Sequence, residues 1–228
     1  MKKQKIKTVC LVDGYNLYHS VSNTIKSAYK GDKLVGNHLK WLDLHKLSQH
    51  FLSPQDELVE VYYFTAYYDE KVGGQSTNNQ ARLKRHQTYV SFLQEKGVKP
   101  IFGKFKKVTR TCKKCRKKYD AYEEKETDVN LSVKAVELLR DNEIDKLMII
   151  SADSDFMQPA KLWRKSPNKK IKFIVPHGLK SVTKDIQNNF SFSQIKVKHL
   201  KDSLLGNKII DSQRNLLHRP NVYLPPEA

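Results

Sequence analysis

At 228 residues the chain is long enough for one generous domain, with a core that hides roughly 70% of its unfolded surface. Lys and Arg number 42 against 24 Asp and Glu, a formal net charge of +18 with a pI near 9.7, which points to a polyanionic partner, nucleic acid before membrane. Three cysteines do not make a disulfide scaffold, and no apolar stretch suits a signal peptide or membrane span, so a cytoplasmic protein is expected.

The first element is Thr8-Val9-Cys10-Leu11-Val12, an apolar run of buried-strand type that ends on Asp13-Gly14-Tyr15-Asn16. Gly14 suits a sharp turn there, and Asn16 can fix the loop or orient a water. Residues 17–28 begin a helix, and 29–38, with Gly31 and Gly36, read as a loop. A second helix over 41–52 puts Leu44, Leu47 and Phe51 on one face and ends at Ser53-Pro54. Residues 57–68, dense in Val, Tyr and Phe, make the second strand. Polar residues 69–78, with Gly73-Gly74, suit a mobile active-site loop. A long helix over 79–96, closed by Gly97, leads to a third strand at 98–102.

After a basic insertion, Glu126-Thr127-Asp128 opens an amphipathic helix over 128–140 in which Val129, Val133 and Val136 recur at helical spacing. Leu147-Met148-Ile149-Ile150 is the next buried strand, followed at once by Ser151-Ala152-Asp153-Ser154-Asp155-Phe156. A fifth strand at 171–175, a helix at 180–188 and a last strand at 197–200 complete the fold. Residues 201–228 form a tail apolar enough to pack back on the domain. The β-α alternation favours a parallel sheet with helices on both faces.

Two strands therefore end on aspartate, and in open α/β sheets the crevice beyond the strand ends is where ligands bind. Acids gathered there are costly unless something positive sits between them. Taken singly, each has a plainer reading. Ser and Asp before Phe156 cap a helix, and Asp128 in a first helical turn suits the dipole. Two strand-end acids and one helix-start acid in one chain form a more specific pattern.

The insertion, residues 103–118, contains nine bases and no acid: Lys104, Lys106, Lys107, Arg110, Lys113, Lys114, Arg116, Lys117 and Lys118. Its alternation suggests an extended arm or hairpin that tracks phosphate, with Phe105, Tyr119 and Tyr122 free to stack on bases. Cys112-Lys113-Lys114-Cys115 offers two thiolates, but a closed zinc site needs four ligands. The one other cysteine, Cys10, sits in the first strand; His86, another insertion residue or the same turn of a second subunit would have to supply the others, the last making a homodimer. A labile disulfide and two ordinary thiols are the open alternatives, and the surrounding lysines favour thiolate in each case.

Val12-Asp13-Gly14-Tyr15-Asn16-Leu17, Lys125-Glu126-Thr127-Asp128-Val129 and Ile150-Ser151-Ala152-Asp153-Ser154-Asp155-Phe156 resemble, in this order, the motifs of the NYN domain. That domain is a branch of the PIN-like nuclease superfamily, and the resemblance is to its bacterial LabA-like (DUF88) group over about residues 7–200. Ala152 stands where many members have Gly, and Glu126-Thr127 where Gly-Val is frequent; neither change removes an acid.

The resemblance implies an α/β, three-layer PIN-like fold with a mostly parallel sheet in the order 3-2-1-4-5. The nuclease domain would span 1–200, the insertion about 103–123 and the tail 201–228. Asp13 and Asp153 would face each other, with Asp128 supplied by the helix before the fourth strand. It further implies a Mg²⁺- or Mn²⁺-dependent endoribonuclease, since carboxylates without Cys or His at the centre suit hard cations. Asp13, Asp128 and Asp153 would bind metal, Asp155 directly or through water, and Asn16 would orient substrate or water; Glu126 is a weaker candidate. RNA is the expected partner, with DNA an open alternative and no membrane. A phosphatase of the haloacid dehalogenase type would want an acid at position 15, where Tyr15 stands. The rival from another class is a catalytically silent RNA-binding or scaffold protein of the same fold, expected to have lost acids that this chain keeps.

Overall fold

A computed structural model of the chain describes residues 5–28, 36–68, 77–177 and 183–226. The first half runs β1 (Ile6–Asp13), α1 (Gly14–Ala28), α2 (Leu44–Gln49), β2 (Asp56–Thr65), α3 (Thr77–Glu95), β3 (Val98–Phe102), then a hairpin of β4 (Lys104–Thr111) and β5 (Lys118–Lys125). The second half runs α4 (Thr127–Arg140), β6 (Lys146–Ile150), α5 (Met157–Lys165), β7 (Lys170–Val175), α6 (Lys184–Asn189), β8 (Ser191–Gln194), α7 (Val197–Asp202), and a small hairpin of β9 (Lys208–Ile210) and β10 (Leu216–His218).

Six strands form one parallel sheet in the order β3-β2-β1-β6-β7-β8. The first five keep the implied order, and β8 adds a sixth at the edge that the sequence did not reveal. Successive strand side chains point to opposite faces, and here both faces are covered. Cys10 and Val12 of β1 and Met148 and Ile150 of β6 join Leu17, Val21, Leu44, Leu47 and Phe92 in one core. Val9, Leu11, Leu147 and Ile149 join Leu131, Ala135, Phe156, Trp163 and Phe173 in the other. Burial on both faces is why these strands read as unbroken apolar runs. Chain connections leave β1 towards β2 and leave β6 towards β7, in opposite directions, so a crevice opens where β1 and β6 end side by side. At the opposite end of the sheet, Lys146 and Asp56 form a nearly buried ion pair at 2.5 Å.

Several expectations are corrected. Residues 197–200 are helical, not a strand: Leu200 is buried one turn after Val197, and His199 Nδ1 accepts the Lys196 N–H at 3.1 Å. The helix expected over 41–52 starts at Leu44, because Asp43 caps it by accepting the Lys46 N–H at 2.9 Å. On α4 the buried face is Leu131, Ala135 and Leu138, while Val129 and Val133 are 62% and 51% exposed. Residues 29–35, 69–76 and 178–182, which carry parts of the expected loops and the expected helix start, lie outside the described residues.

The C-terminal segment meets the first core around Trp41. Leu205 donates its N–H to the Trp41 carbonyl, the indole N–H donates to the Gly206 carbonyl, and Tyr223 stacks on the indole at 5.5 Å. Among the described residues no helix is long and apolar enough to cross a membrane.

Candidate active site

The site begins with the end of β1. A Cβ on Gly14 would stand 2.5 Å from the Tyr63 ring and 2.6 Å from the Phe64 carbonyl oxygen. Only glycine fits that approach, so its role is contact with β2; it opens α1 directly rather than making the sharp turn expected of it. Asp13, just before it, is 6% exposed. Its Oδ1 accepts the Asn16 N–H at 3.0 Å, and its Oδ2 accepts the Ser151 hydroxyl at 2.9 Å.

Ser151 is fully buried at the end of β6, and its Oγ also accepts the Asp153 N–H at 3.1 Å. Asp153 in turn accepts the Asp155 N–H at 3.0 Å and so caps the short 3-10 turn Ser154–Phe156. The plain capping reading of these residues therefore holds alongside any other. Asn16 Oδ1 accepts the Ala152 N–H at 3.4 Å, tying the start of α1 to the loop after β6. Of its expected roles, the loop-fixing one has a visible contact.

Asp128 enters from the first turn of α4. The acids feel one another. Asp13 is pushed up from 3.8 to about 6, first by burial and then, after the opposing hydrogen bonds, by Asp128 and Asp153. Asp128 is also raised, by desolvation and then by Asp153 and Asp155. The structure thus brings Asp13, Asp128, Asp153 and Asp155 to one crevice. Among the described residues, however, no three Asp, Glu, His or Cys side chains stand close enough to hold a metal ion. Donor chemistry and uncompensated negative charge suit a hard cation; a bound ion would have to draw the carboxylates together.

Glu126 does not turn inwards. It adopts a left-handed conformation (φ 79°) before α4 and pairs with Lys104. Glu124, unassigned by sequence reasoning, is the acid that does approach. It accepts the Thr127 N–H at 3.2 Å and the Thr127 hydroxyl, and its pKa is raised by burial and, after the opposing Thr127 bond, by Asp128.

The insertion is an antiparallel hairpin, β4 with β5, and its base is locked at Gly103, where a Cβ would meet the Lys125 carbonyl oxygen at 2.5 Å. Three of its nine expected phosphate-binding residues are already paired. Lys104 meets Glu126, Lys107 meets Asp120 at 2.7 Å, and Arg110 meets Glu123 at 2.5 Å. Lys106, Lys113, Lys114, Arg116, Lys117 and Lys118 pair with none of the described acids. Phe105 and Tyr122 are partly engaged as well, with ring centroids 5.2 and 6.2 Å from Tyr68; Tyr119 is half exposed.

At the hairpin tip Cys112 and Cys115 are free thiols. The backbone N–H groups of Cys115 and Lys114 donate to the Cys112 sulfur, which lowers its pKa, and Arg116 turns the chain with φ 58°. Among the described residues neither His86 nor another insertion residue joins the pair as a ligand. Cys10 is buried in β1, its thiol pushed up to about 12 by that burial, and His86 bonds Thr65 Oγ1 at 3.1 Å.

Sequence reasoning also missed a cavity of about 210 Å³ beside the acids, bounded by Gly14 and Tyr15 on one side and Thr127 on another. Its walls come from seven stretches far apart in sequence; the nearest thing to a signal is Tyr15, Tyr18 and His19, which helical spacing puts on one face of α1.

One solved structure with this fold is a protein of unknown function from Vibrio parahaemolyticus. It is 20% identical, with a TM-score of 0.51 over 90% of this chain and 99% of its own. No curated protein matches the chain. The NYN domain model matches residues 7–194, from the start of β1 to the end of β8, and so takes in the whole six-stranded sheet and every acid of the crevice. With the motifs, the sheet order and that match in agreement, the chain belongs to the NYN domain family.

Proposed function

We propose that this protein is a metal-dependent ribonuclease that hydrolyses RNA phosphodiester bonds in the crevice between β1 and β6. The observation that carries the reading is the shared field of four carboxylates, with Asp13 buried among them and raised to about 6. Such crowding is tolerated where a cation compensates it. Asp13, Asp128 and Asp153 would hold Mg²⁺ or Mn²⁺, with Asp155 beside them. When bound, that ion supplies an activated water and charge compensation for in-line attack on phosphorus. Ser151 keeps Asp13 and the Asp153 backbone in register, and Asn16 holds the two motif loops together. The cations of the β4-β5 hairpin offset the repulsion between this acidic centre and the RNA backbone.

The test is cleavage of a labelled RNA in Mg²⁺ or Mn²⁺ by the wild type, Asp13→Asn and Asp153→Asn. Both variants should lose cleavage by at least a hundredfold while binding RNA in EDTA as before. A specific observation favours the rival reading: both Asp13 oxygens already have protein donors, as in a purely structural acid. Wild type that cuts no RNA with either ion, yet binds it, would establish that silent RNA-binding protein instead.

At the hairpin tip the same reading puts Zn²⁺ on Cys112 and Cys115, supported by the two N–H groups aimed at Cys112. Two thiolates leave two of the four zinc positions open, and the same turn of a second copy would fill them. Zinc at one per two chains, with a dimer that dissociates in chelator, is expected by elemental analysis and sedimentation. A zinc-free monomer overturns it.

A further inference from the structure

We infer that the cavity between α1, β2 and α3 receives a nucleobase of single-stranded RNA, seating the chain next to the acids; the inference rests on the ribonuclease reading and names its substrate as single-stranded. Position is the first argument. Gly14 and Tyr15 immediately follow Asp13, Thr127 immediately precedes Asp128, and all three line the cavity. Whatever occupies it lies within a residue or two of both acids along each motif.

The walls are the second argument. Tyr15 and Tyr18 are 59% and 45% exposed, although large aromatic side chains are usually much more buried. They flank His19, with ring centroids 4.2 and 5.7 Å away, and Tyr68 and Phe105, in contact with each other, line the same cavity. Exposed aromatic rings beside a basic surface are what stack on bases of a single strand.

Charge is the third. Lys40 Nζ lies 4.8 Å over the Tyr18 ring and the Arg82 guanidinium 5.0 Å over that of Tyr68. Neither pairs with any described acid. They leave positive charge at an aromatic rim, suited to the phosphates on either side of a seated base. Deeper in, the Thr65 hydroxyl and His86 Nε2 are 3.1 Å apart and can share donors and acceptors with a base edge. Burial, then Arg82, lowers His86 to about 4, so at neutral pH it presents an uncharged ring. A duplex keeps its bases stacked and paired, and cannot offer one without paying for its extrusion.

The full-length protein in EDTA, which prevents cleavage, is titrated against a fluorescent single-stranded RNA octamer, its duplex, and the free mononucleotide. Tyr18→Ala and Tyr68→Ala should each weaken octamer binding on the order of tenfold. Tyr68→Phe should keep it, and neither alanine variant should alter the salt slope, since no charge is removed. Octamer binding should exceed duplex and mononucleotide binding at least tenfold. In wild type, octamer carrying 5-iodouridine should crosslink on irradiation to Tyr15, Tyr18 or Tyr68. Equal affinity for octamer and duplex, tighter binding of the mononucleotide, or crosslinks confined to the hairpin would overturn the assignment. So would alanine variants that melt like wild type and bind the octamer unchanged. Tyrosine-dependent binding without cleavage in Mn²⁺ would sink the nuclease reading and leave the pocket standing; cleavage without tyrosine dependence would do the reverse.

Discussion

The Ser151 hydroxyl donates to Asp13 across the β1-β6 seam at 2.9 Å, and it does so from a fully buried position. That hydroxyl and the Asn16 N–H are the donors that hold the buried carboxylate. Even with them it costs stability. Raised to about 6 from 3.8, the Asp13 carboxyl holds its proton more tightly in the folded state. The contribution of this one group is therefore fullest below pH 3.8, falls as the pH rises to about 6, and ends roughly 3 kcal/mol lower at neutral pH. That is comparable to the burial of one large aliphatic side chain. Asp13→Asn should accordingly raise the melting temperature in EDTA at pH 7.5 by several degrees. Mn²⁺ should stabilise the wild type and leave the variant unmoved. A variant that melts lower and still responds to Mn²⁺ would show that Asp13 is structural.

Much of the fold could be read from the chain because β1 and β6 bury both faces and so stand out as apolar runs ending in aspartate. The crevice acids were visible for the same reason. Ser151 was not, because a serine after a strand is also an ordinary helix cap and nothing in sequence gives its partner 138 residues away. Helix α4 carries aliphatic residues on two faces, Val129 and Val133 on one and Leu131 and Ala135 on the other, so periodicity alone cannot choose which is buried. The aromatic cavity was illegible because its lining is scattered over α1, the Trp41 region, β2, α3, the β4-β5 hairpin, the start of α4 and Tyr223. Charge counting on one strand of the hairpin likewise missed the acids of the other, Asp120 and Glu123, that neutralise part of it.

Gly14 gives a sharper test of close packing. Its added methyl would meet the Phe64 carbonyl, a backbone atom that cannot rotate away, at 2.6 Å. Gly14→Ala should destabilise by about 1–3 kcal/mol through overpacking of α1 on β2. Urea denaturation would show it as a lower midpoint at unchanged slope. An unchanged midpoint would mean that α1 shifts freely.

His86 sets a second pH response, opposite in sign to that of Asp13. Its folded pKa of about 4 lies below the ordinary 6.5, so the unfolded chain takes up the proton first as the pH falls. Stability from this group is intact above 6.5 and declines between 6.5 and 4, by about 2 kcal/mol from pH 7 to pH 5. Urea midpoints of wild type and His86→Gln at those two values isolate the effect. The variant should lose about that much less on acidification. Parallel losses would show that the imidazole titrates freely in the folded protein.

The hairpin separates grip from chemistry, and its internal ion pairs make the prediction two-sided. Lys113, Lys114, Lys117 and Lys118 pair with no described acid, whereas Arg110 and Lys125 are both drawn to Glu123. A free cation that meets a phosphate releases condensed counterion, steepening the fall of affinity with salt by about 0.7 per contact on a single strand. Replacing the four lysines with Ala should flatten the slope by about 2–3 and raise the RNA concentration needed for cleavage. Saturated turnover should barely change, because no crevice acid is touched. Glu123→Gln does the opposite. It releases Arg110 and Lys125 without adding a base, and should steepen the slope by about 1 while tightening binding at low salt. Exposed pairs are weak, so the substitution should leave the stability almost unchanged. Binding measured from low to high salt for the three proteins gives both slopes. If neither changes, RNA does not lie along the hairpin, and its lysines and cysteines serve a partner of another kind.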